Sequence, residues 1–346
     1  STTYIKDYRL QTVRDLVVLG KPLIVTIRKR RYVCKHCNAT FTEENPYIKR
    51  YCHFPNRLYI ESLTESFRLQ SFTSVAKRLG VSVTSIIRWF DKLNCPHPKL
   101  PECIAIDEFR GNAGGEKFQC NVADPVKHKV IDILPSRNTE DLCKHFLEYP
   151  YKERAEVKKI VMDLSTLFRS VAKTMFPEAK IVADKFHVIR VVINSLENVR
   201  KRIQKEFHET KRKWFKRSRY LLLKPEYKLT DEDKTELARM LNSSYDLEKA
   251  YVLKERFYEV FRKQTRTEAK KELGNWLLLA ADLSLPEFRH CITTFSNWKT
   301  EIANIIGERV SNGFIEGSNN KIKVLKRISY GVRNFDRFRN RILYLE

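Results

Sequence analysis

Glycine and proline are scarce in this chain, ten and twelve among 346 residues. That scarcity excludes collagen-like and low-complexity architectures, and no internal repeat takes their place. No apolar run approaches about 18 residues, so no transmembrane helix is expected. The opening residues, Ser-Thr-Thr-Tyr-Ile-Lys-Asp-Tyr-Arg, lack the apolar core of a signal peptide. Eight cysteines scattered over a long basic chain do not form the pattern of a disulfide scaffold, which points to a reducing interior.

Acidic residues are the other shortage. Forty-two Asp and Glu face 66 Lys and Arg, giving a formal net charge of +24 and a pI near 9.7. An excess that large, and clustered, implies a polyanionic partner, nucleic acid first. Hydrophobic residues make up 42% of the chain, enough at this length for two or three domains with real cores.

The reading centres on Glu102–Phe109, Glu-Cys-Ile-Ala-Ile-Asp-Glu-Phe. It alternates as a strand does, with Ile104 and Ile106 on one face and Cys103, Ala105 and Asp107 on the other. An aspartate ending an apolar strand is costly to bury unless a metal ion, a cationic side chain or backbone donors offset its charge. Two more segments offer carboxylates: Val161-Met162-Asp163-Leu164-Ser165, and Asn312 to Asn320 with Glu316 at its centre. Three separated carboxylates on strand ends and a helix suit a two-metal phosphoryl-transfer site.

Taken in order, residues 1–33 read as short strands, with a turn at Gly20-Lys21-Pro22 and Arg28, Arg30 and Arg31 as phosphate contacts. Cys34-Lys35-His36-Cys37 follows, and two thiolates at that spacing can reach one zinc ion. Either Cys52 and His53 complete the set, or the partner pair lies before residue 1. Residues 73–90 have helix-turn-helix spacing: Val75, Ala76 and Leu79 face inward, Gly80 ends the first helix, and Ser82 caps a second that buries Ile86 and Phe90. Thr84, Ser85 and Arg88 are then available to a major groove.

Residues 102–134 read as an antiparallel meander of three strands, followed by a helix from Thr139 through Leu147. Strand 158–162, a helix capped by Ser165, and strand 180–183 form a right-handed parallel crossover. Asp163 and Asp184 then sit at carboxyl ends of strands, where α/β sheets place ligands. Either one could serve as the second carboxylate, and Asp163 could alternatively cap its helix. Residues 188–300 read as helical throughout, with one helix from Val188 to Phe215. Lys201–Arg219 carries nine Lys and Arg against two Glu. Lys211, Arg212 and Trp214 are candidates for phosphate contact and base stacking, or for a solvated face over core aromatics. A final helix from Ser311 to Ile328 would set Glu316, Asn320, Lys323 and Arg327 on one polar face, opposite Ile315, Ile322 and Leu325. Lys321, Lys323 and Arg327 open a basic tail.

Together these segments resemble the DDE-class transposases of bacterial insertion sequences, and closely the ISL-three family. The matching stretches are Arg28–Cys37, the helix-turn-helix at 73–90, Ile106-Asp107-Glu108-Phe109, Met162-Asp163-Leu164-Ser165, Ala183-Asp184-Lys185-Phe186-His187-Val188 and Glu316-Gly317-Ser318-Asn319-Asn320-Lys321. In that family another Cys-x-x-Cys precedes the position of residue 1. The resemblance implies an α/β fold, an RNase H-like catalytic core with a mixed sheet interrupted by an all-α insertion, preceded by a zinc-ribbon-like module and a helix-turn-helix. The corresponding domains are 1–54 (zinc-ribbon-like), 55–98 (helix-turn-helix), 99–187 (first part of the core), 188–300 (insertion) and 301–346 (final core helix and basic tail).

By position, the resemblance makes Asp107, Asp163 and Glu316 the catalytic triad and the ligands of two Mg²⁺ or Mn²⁺ ions, with Asp184, His187 and Asn320 as accessories and zinc on Cys34 and Cys37. The expected activity is cleavage at terminal inverted repeats and strand transfer into target DNA, by a homodimer on double-stranded DNA. The expected setting is the bacterial cytoplasm, associated with the nucleoid and with no membrane partner. Three rivals remain: a non-catalytic DNA-binding regulator, an RNase H-like nuclease that cuts without joining, and a purely structural RNA-binding protein, which only the charge favours.

Overall fold

The computed structural model describes residues 3–49, 52–95, 97–308, 310 and 312–345. Two compact units emerge, one made of residues 1–98, 109–119 and 318–346, the other of 99–108 and 120–317.

In the first unit, strands β1 (Ile5–Val18) and β2 (Lys21–Val33) form one long antiparallel hairpin, and β3 (Thr40–Thr42) adds to β2. The expectation of short strands is therefore corrected. The reversal is also tighter than expected: Leu19 and Gly20 both take positive φ, 51° and 77°, the left-handed pair a two-residue hairpin needs. Three helices follow, α1 (Asn56–Ser66), α2 (Phe72–Leu79) and α3 (Val83–Phe90). Ser71 caps α2, Gly80 ends it at φ 64°, and Ser82 caps α3 by accepting from Ser85 N–H. Leu58, Val75, Ala76, Leu79 and Ile86 form their shared core, so the inward stripe read from the sequence is the buried one.

The second unit is built on a five-stranded mixed sheet: β4 (Cys103–Phe109), β5 (Gln119–Asp124), β6 (Lys129–Leu134), β7 (Lys159–Met162) and β8 (Lys180–Ala183), in the order β6-β5-β4-β7-β8. Helices α4 (Thr139–Leu147) and α5 (Tyr151–Glu156) lead to β7, and α6 (Thr166–Met175) joins β7 to β8. β4 and β7 are parallel, as are β7 and β8, so the expected crossover is present. Phe168, Val171, Ala172 and Met175 are the buried stripe of α6.

From residue 185 to 303 the described residues contain no strand. The helices are α7 (Lys185–Gln204), α8 (Glu209–Arg217), α9 (Arg219–Leu223), α10 (Asp231–Leu241), α11 (Tyr245–Tyr258), α12 (Arg266–Asp282), α13 (Arg289–Asn297) and α14 (Lys299–Ala303). The single helix expected from Val188 to Phe215 is thus two, broken at 205–208. One hydrophobic cluster runs from Ile104, Ile106 and Met162 on the sheet through Val188, Leu196, Trp276 and Phe295. The helical segment therefore shares a core with one face of the sheet. The last helices are α15 (Gly313–Ile328) and α16 (Phe335–Leu343). Ser311, where α15 was expected to begin, lies outside the described residues.

Candidate active site and DNA-facing surfaces

The sheet register sets the geometry. Ile106 pairs with Met162, and Met162 with Ala183, across three neighbouring parallel strands. Asp107, Asp163 and Asp184 are each the next residue along, so they stand level on three adjacent strands about 4.8 Å apart, Asp163 and Asp184 just past their strands' carboxyl ends and Asp107 two residues before the end of β4. Alternation fixes their side of the sheet. Cys103, Ala105, Val161 and Val182 share a small cluster with Ile315 of α15, and each aspartate is two residues beyond a member of that set. The opposite face belongs to the large core.

The aspartates differ in their surroundings. Asp107 and Asp163 are half-buried. Burial, with smaller repulsion from Asp163 and Glu108, pushes the Asp107 carboxyl up to about 6. Burial also raises Asp163, aided by Glu108 and Asp184 and opposed by His187. The cap of α6 is Ser165, which accepts from Phe168 N–H, while Asp163 Oδ1 accepts from Ser165 N–H at 3.0 Å. Asp184 is buried and caps α7. Its Oδ2 accepts from His187 N–H at 3.2 Å and from His187 Nδ1 at 2.7 Å. Its Oδ1 accepts from the backbone N–H of Asn312 at 3.4 Å. The Asp184 bond raises the His187 pKa, and the Asp107 and Asp163 charges raise it further.

Glu316 lies exposed on the first turn of α15. It is not among the charges that act most on Asp107 or Asp163. Its helix is held near them by neighbouring residues: Ile315 packs in the cluster on the aspartate face, and Asn312 carries the link to Asp184. Asn312 was missed in the sequence. It is 3% exposed, and neither atom of its side-chain amide has a partner among the described residues. An asparagine before a helix reads as an ordinary cap, so nothing flagged it. Asn320, Lys323 and Arg327 are exposed along the same polar face of α15, as is Lys321, while Ile315, Ile322 and Leu325 are buried.

At the hairpin end, Cys34 N–H bonds to Ala39 O and Asn38 N–H to Cys34 O, which closes a tight turn. Backbone N–H groups of Cys37 and His36 lower the Cys34 thiol pKa, favouring a metal-binding thiolate. That pair offers two of the four ligands of a tetrahedral zinc site. Among the described residues, no third ligand shares the position, and the alternative with Cys52 and His53 is not assembled. Arg28 lies over the Tyr8 ring, Arg30 pairs with Glu43 at 2.8 Å, and Arg31 with Asp7 at 3.4 Å. On α3, Thr84 and Arg88 are exposed, and Ser85 is half-buried with its hydroxyl 2.8 Å from that of Ser82. Trp214 is half-buried, its indole N–H donating to Glu236 at 2.5 Å, and Lys211 lies over the Phe207 ring. Arg212 is exposed.

Residues 104–342 match a family model described as transposase, of the ISL3 type. The chain belongs to the ISL3 family of transposases. Residues 43–94 match the helix-turn-helix domain of transposase family ISL3, and residues 1–37 match the zinc-finger of the IS204/IS1001/IS1096/IS1165 transposases. This transposase is 24% identical over 343 residues to the transposase for insertion sequence element IS1001 of Bordetella parapertussis, covering 96% of this chain and 84% of that one. It is 25% identical over 254 residues to the transposase for IS1557 of Mycobacterium tuberculosis, covering 67% and 57%. A stretch of 94 residues is 36% identical to an ATP-dependent protease of Lactococcus lactis, but it covers about a quarter of each chain and carries no argument. The transposase and helix-turn-helix domains imply DNA binding. No helix among the described residues is long and apolar enough to cross a membrane.

Proposed function

We propose that this transposase binds the terminal inverted repeats of its element and catalyses strand cleavage and strand transfer at a divalent-metal site formed by Asp107, Asp163 and Glu316. The observation that carries the reading is the level placement of Asp107 and Asp163 on adjacent parallel strands, with both carboxyls raised by burial. Two close, half-buried carboxylates raise each other's proton affinity, and a hard cation with oxygen ligands relieves that repulsion. When bound, Mg²⁺ or Mn²⁺ supplies Lewis-acid charge at the scissile phosphate.

The sheet order and the parallel β7–β8 unit support an RNase H-like core, with the helical segment as its insertion. Asp184 suits an accessory role better than a ligand role, because both its oxygens already accept hydrogen bonds. Held by Asp184, His187 keeps Nε2 for other work: that nitrogen makes no hydrogen bond among the described residues, and its protonated form would donate to a phosphate. Asn320 stands one turn beyond Glu316 on the same exposed face, suited to positioning DNA beside it. Thr84, Ser85 and Arg88 would read the repeats. Arg28, Arg30, Arg31, Lys321, Lys323 and Arg327 would hold phosphates, and Lys211, Arg212 and Trp214 would support the insertion's hold on DNA. Processing two ends calls for two such sites, hence a homodimer on DNA. Cys34 and Cys37 would hold zinc together with ligands from outside the described residues.

The test is incubation with DNA carrying candidate repeats and Mg²⁺ or Mn²⁺. Cleavage at the repeat boundary followed by joining is expected, with both lost in Asp163→Ala. Cleavage that survives the substitution would overturn the metal site. Hydrolysis without joining would mark a nuclease, and specific binding without cleavage a regulator.

A further inference from the structure

Where α7 gives way to α8, the chain forms an open cleft of about 670 Å³ whose lining residues, Gln204 apart, all carry charged side chains. Lys201 and Lys205 come from the end of α7, and Arg212, Lys213 and Lys216 from α8. Arg200, at the base, is neutralised: it is buried, donates to Glu197 at 2.8 Å, and also bonds Gln204. Lys213 reaches Glu209 at 2.6 Å, the cleft's one lining acid. Lys201, Lys205, Arg212 and Lys216 are exposed, and their side chains make no ion pair or hydrogen bond among the described residues.

Four uncompensated cations lining one cleft, two from each side of the α7–α8 junction, repel each other, a cost that a polyanion removes. Lys201 and Lys205, like Arg212 and Lys216, are four residues apart, about 6 Å along a helix, so neighbouring cations line up as a track. Beyond its cations the cleft offers little with which to read bases. Its amide, Gln204, is engaged by Arg200, and the nearby aromatic rings of Trp214, Phe215 and Phe207 pack against one another. Backbone contacts fix position and carry no sequence information.

The geometry points to a second DNA-holding surface: this cleft grips the phosphodiester backbone of duplex DNA irrespective of sequence, and so serves DNA that the helix-turn-helix does not read. The assignment rests on the reading of this transposase as acting on DNA. It adds where, and by which chemistry, the non-repeat DNA is held.

The experiment measures binding of the full chain, without divalent ions, to a repeat-bearing duplex and to a scrambled duplex over a salt series. The variant is Lys201→Gln/Lys205→Gln/Lys216→Gln. It should lose affinity for both duplexes by the same factor. The slope of log affinity against log salt should become shallower by about 2.7, the release of three counterions. The wild type should then lose about 40-fold more affinity than the variant between about 50 and about 200 mM salt. Glu209→Gln is expected to act in the opposite direction, tightening both duplexes.

An unchanged slope, a loss confined to the repeat duplex, or a loss on duplex RNA with none on DNA overturns the assignment. So does displacement by inorganic phosphate beyond that by chloride at equal ionic strength, which marks a free-anion pocket. Since no divalent ion is present, this outcome is independent of whether the chain cleaves. Removing like charges should leave the variant melting no lower than wild type.

Discussion

His187 Nδ1 donates to Asp184 Oδ2 at 2.7 Å, and the same carboxylate receives the backbone N–H of Asn312 through its other oxygen. Asp184 thereby ties the start of α7, the His187 ring and the approach to α15 at one strand end. Asp184→Asn keeps the shape but weakens an anionic acceptor. The His187 titration, followed by NMR, should move to lower pH, because the bond to Asp184 is the chief cause of its elevation. Cleavage should fall by roughly 10- to 100-fold, as for other supporting contacts around metal sites. An unmoved His187 titration would mean that Asp184 is only a helix cap.

The raised carboxyls make a prediction about pH. Asp107 binds its proton more tightly folded than unfolded, between its ordinary value of 3.8 and about 6. Over that window the folded state holds more protons, so stability falls as pH rises. Raised His187 acts in the same sense: its contribution is present below its unfolded pKa and is lost as pH passes the folded value. Metal-free protein should therefore melt at a higher temperature near pH 5 than near pH 8, and Mg²⁺ should narrow the difference. Asp107→Asn should stabilise the metal-free protein at neutral pH by up to about 3 kcal/mol, an upper bound that partial exposure reduces. It should also abolish cleavage. Thermal melts across pH, with and without Mg²⁺, check each part.

Much of this arrangement could be read from the chain because the informative segments have two strict periods. The alternation of Ile104 and Ile106 against Cys103 and Ala105 placed Asp107 on a defined face, and that face is the one Ile315 covers. Val75, Ala76, Leu79 and Ile86 likewise announced the helix-turn-helix core. The long hairpin was obscured because most of its residues are exposed, which leaves only a faint alternation. The break after Gln204 was hidden for another reason. Lys205 to His208 contain neither glycine nor proline, and the chain turns there with Phe207 packed edge-on against Phe215. Three-dimensional packing makes that break, so no local signal marks it. Asn312 was invisible in the same way: its link to Asp184 spans 128 residues.

Gly317 offers a final test, because nothing inside the protein asks for it. It sits within α15 beside Glu316, and a Cβ added there would meet no atom within 4 Å. Glycine inside a helix costs roughly 1 kcal/mol relative to alanine, so a neutral position should have favoured a side chain. The economical explanation is close approach of DNA backbone to this turn during reaction. Gly317→Ala should raise the melting temperature of the free protein while reducing cleavage and DNA affinity near the site. If stability rises and cleavage stays at the wild-type rate, then no ligand presses on this turn, and the placement of DNA against the Glu316 face is wrong.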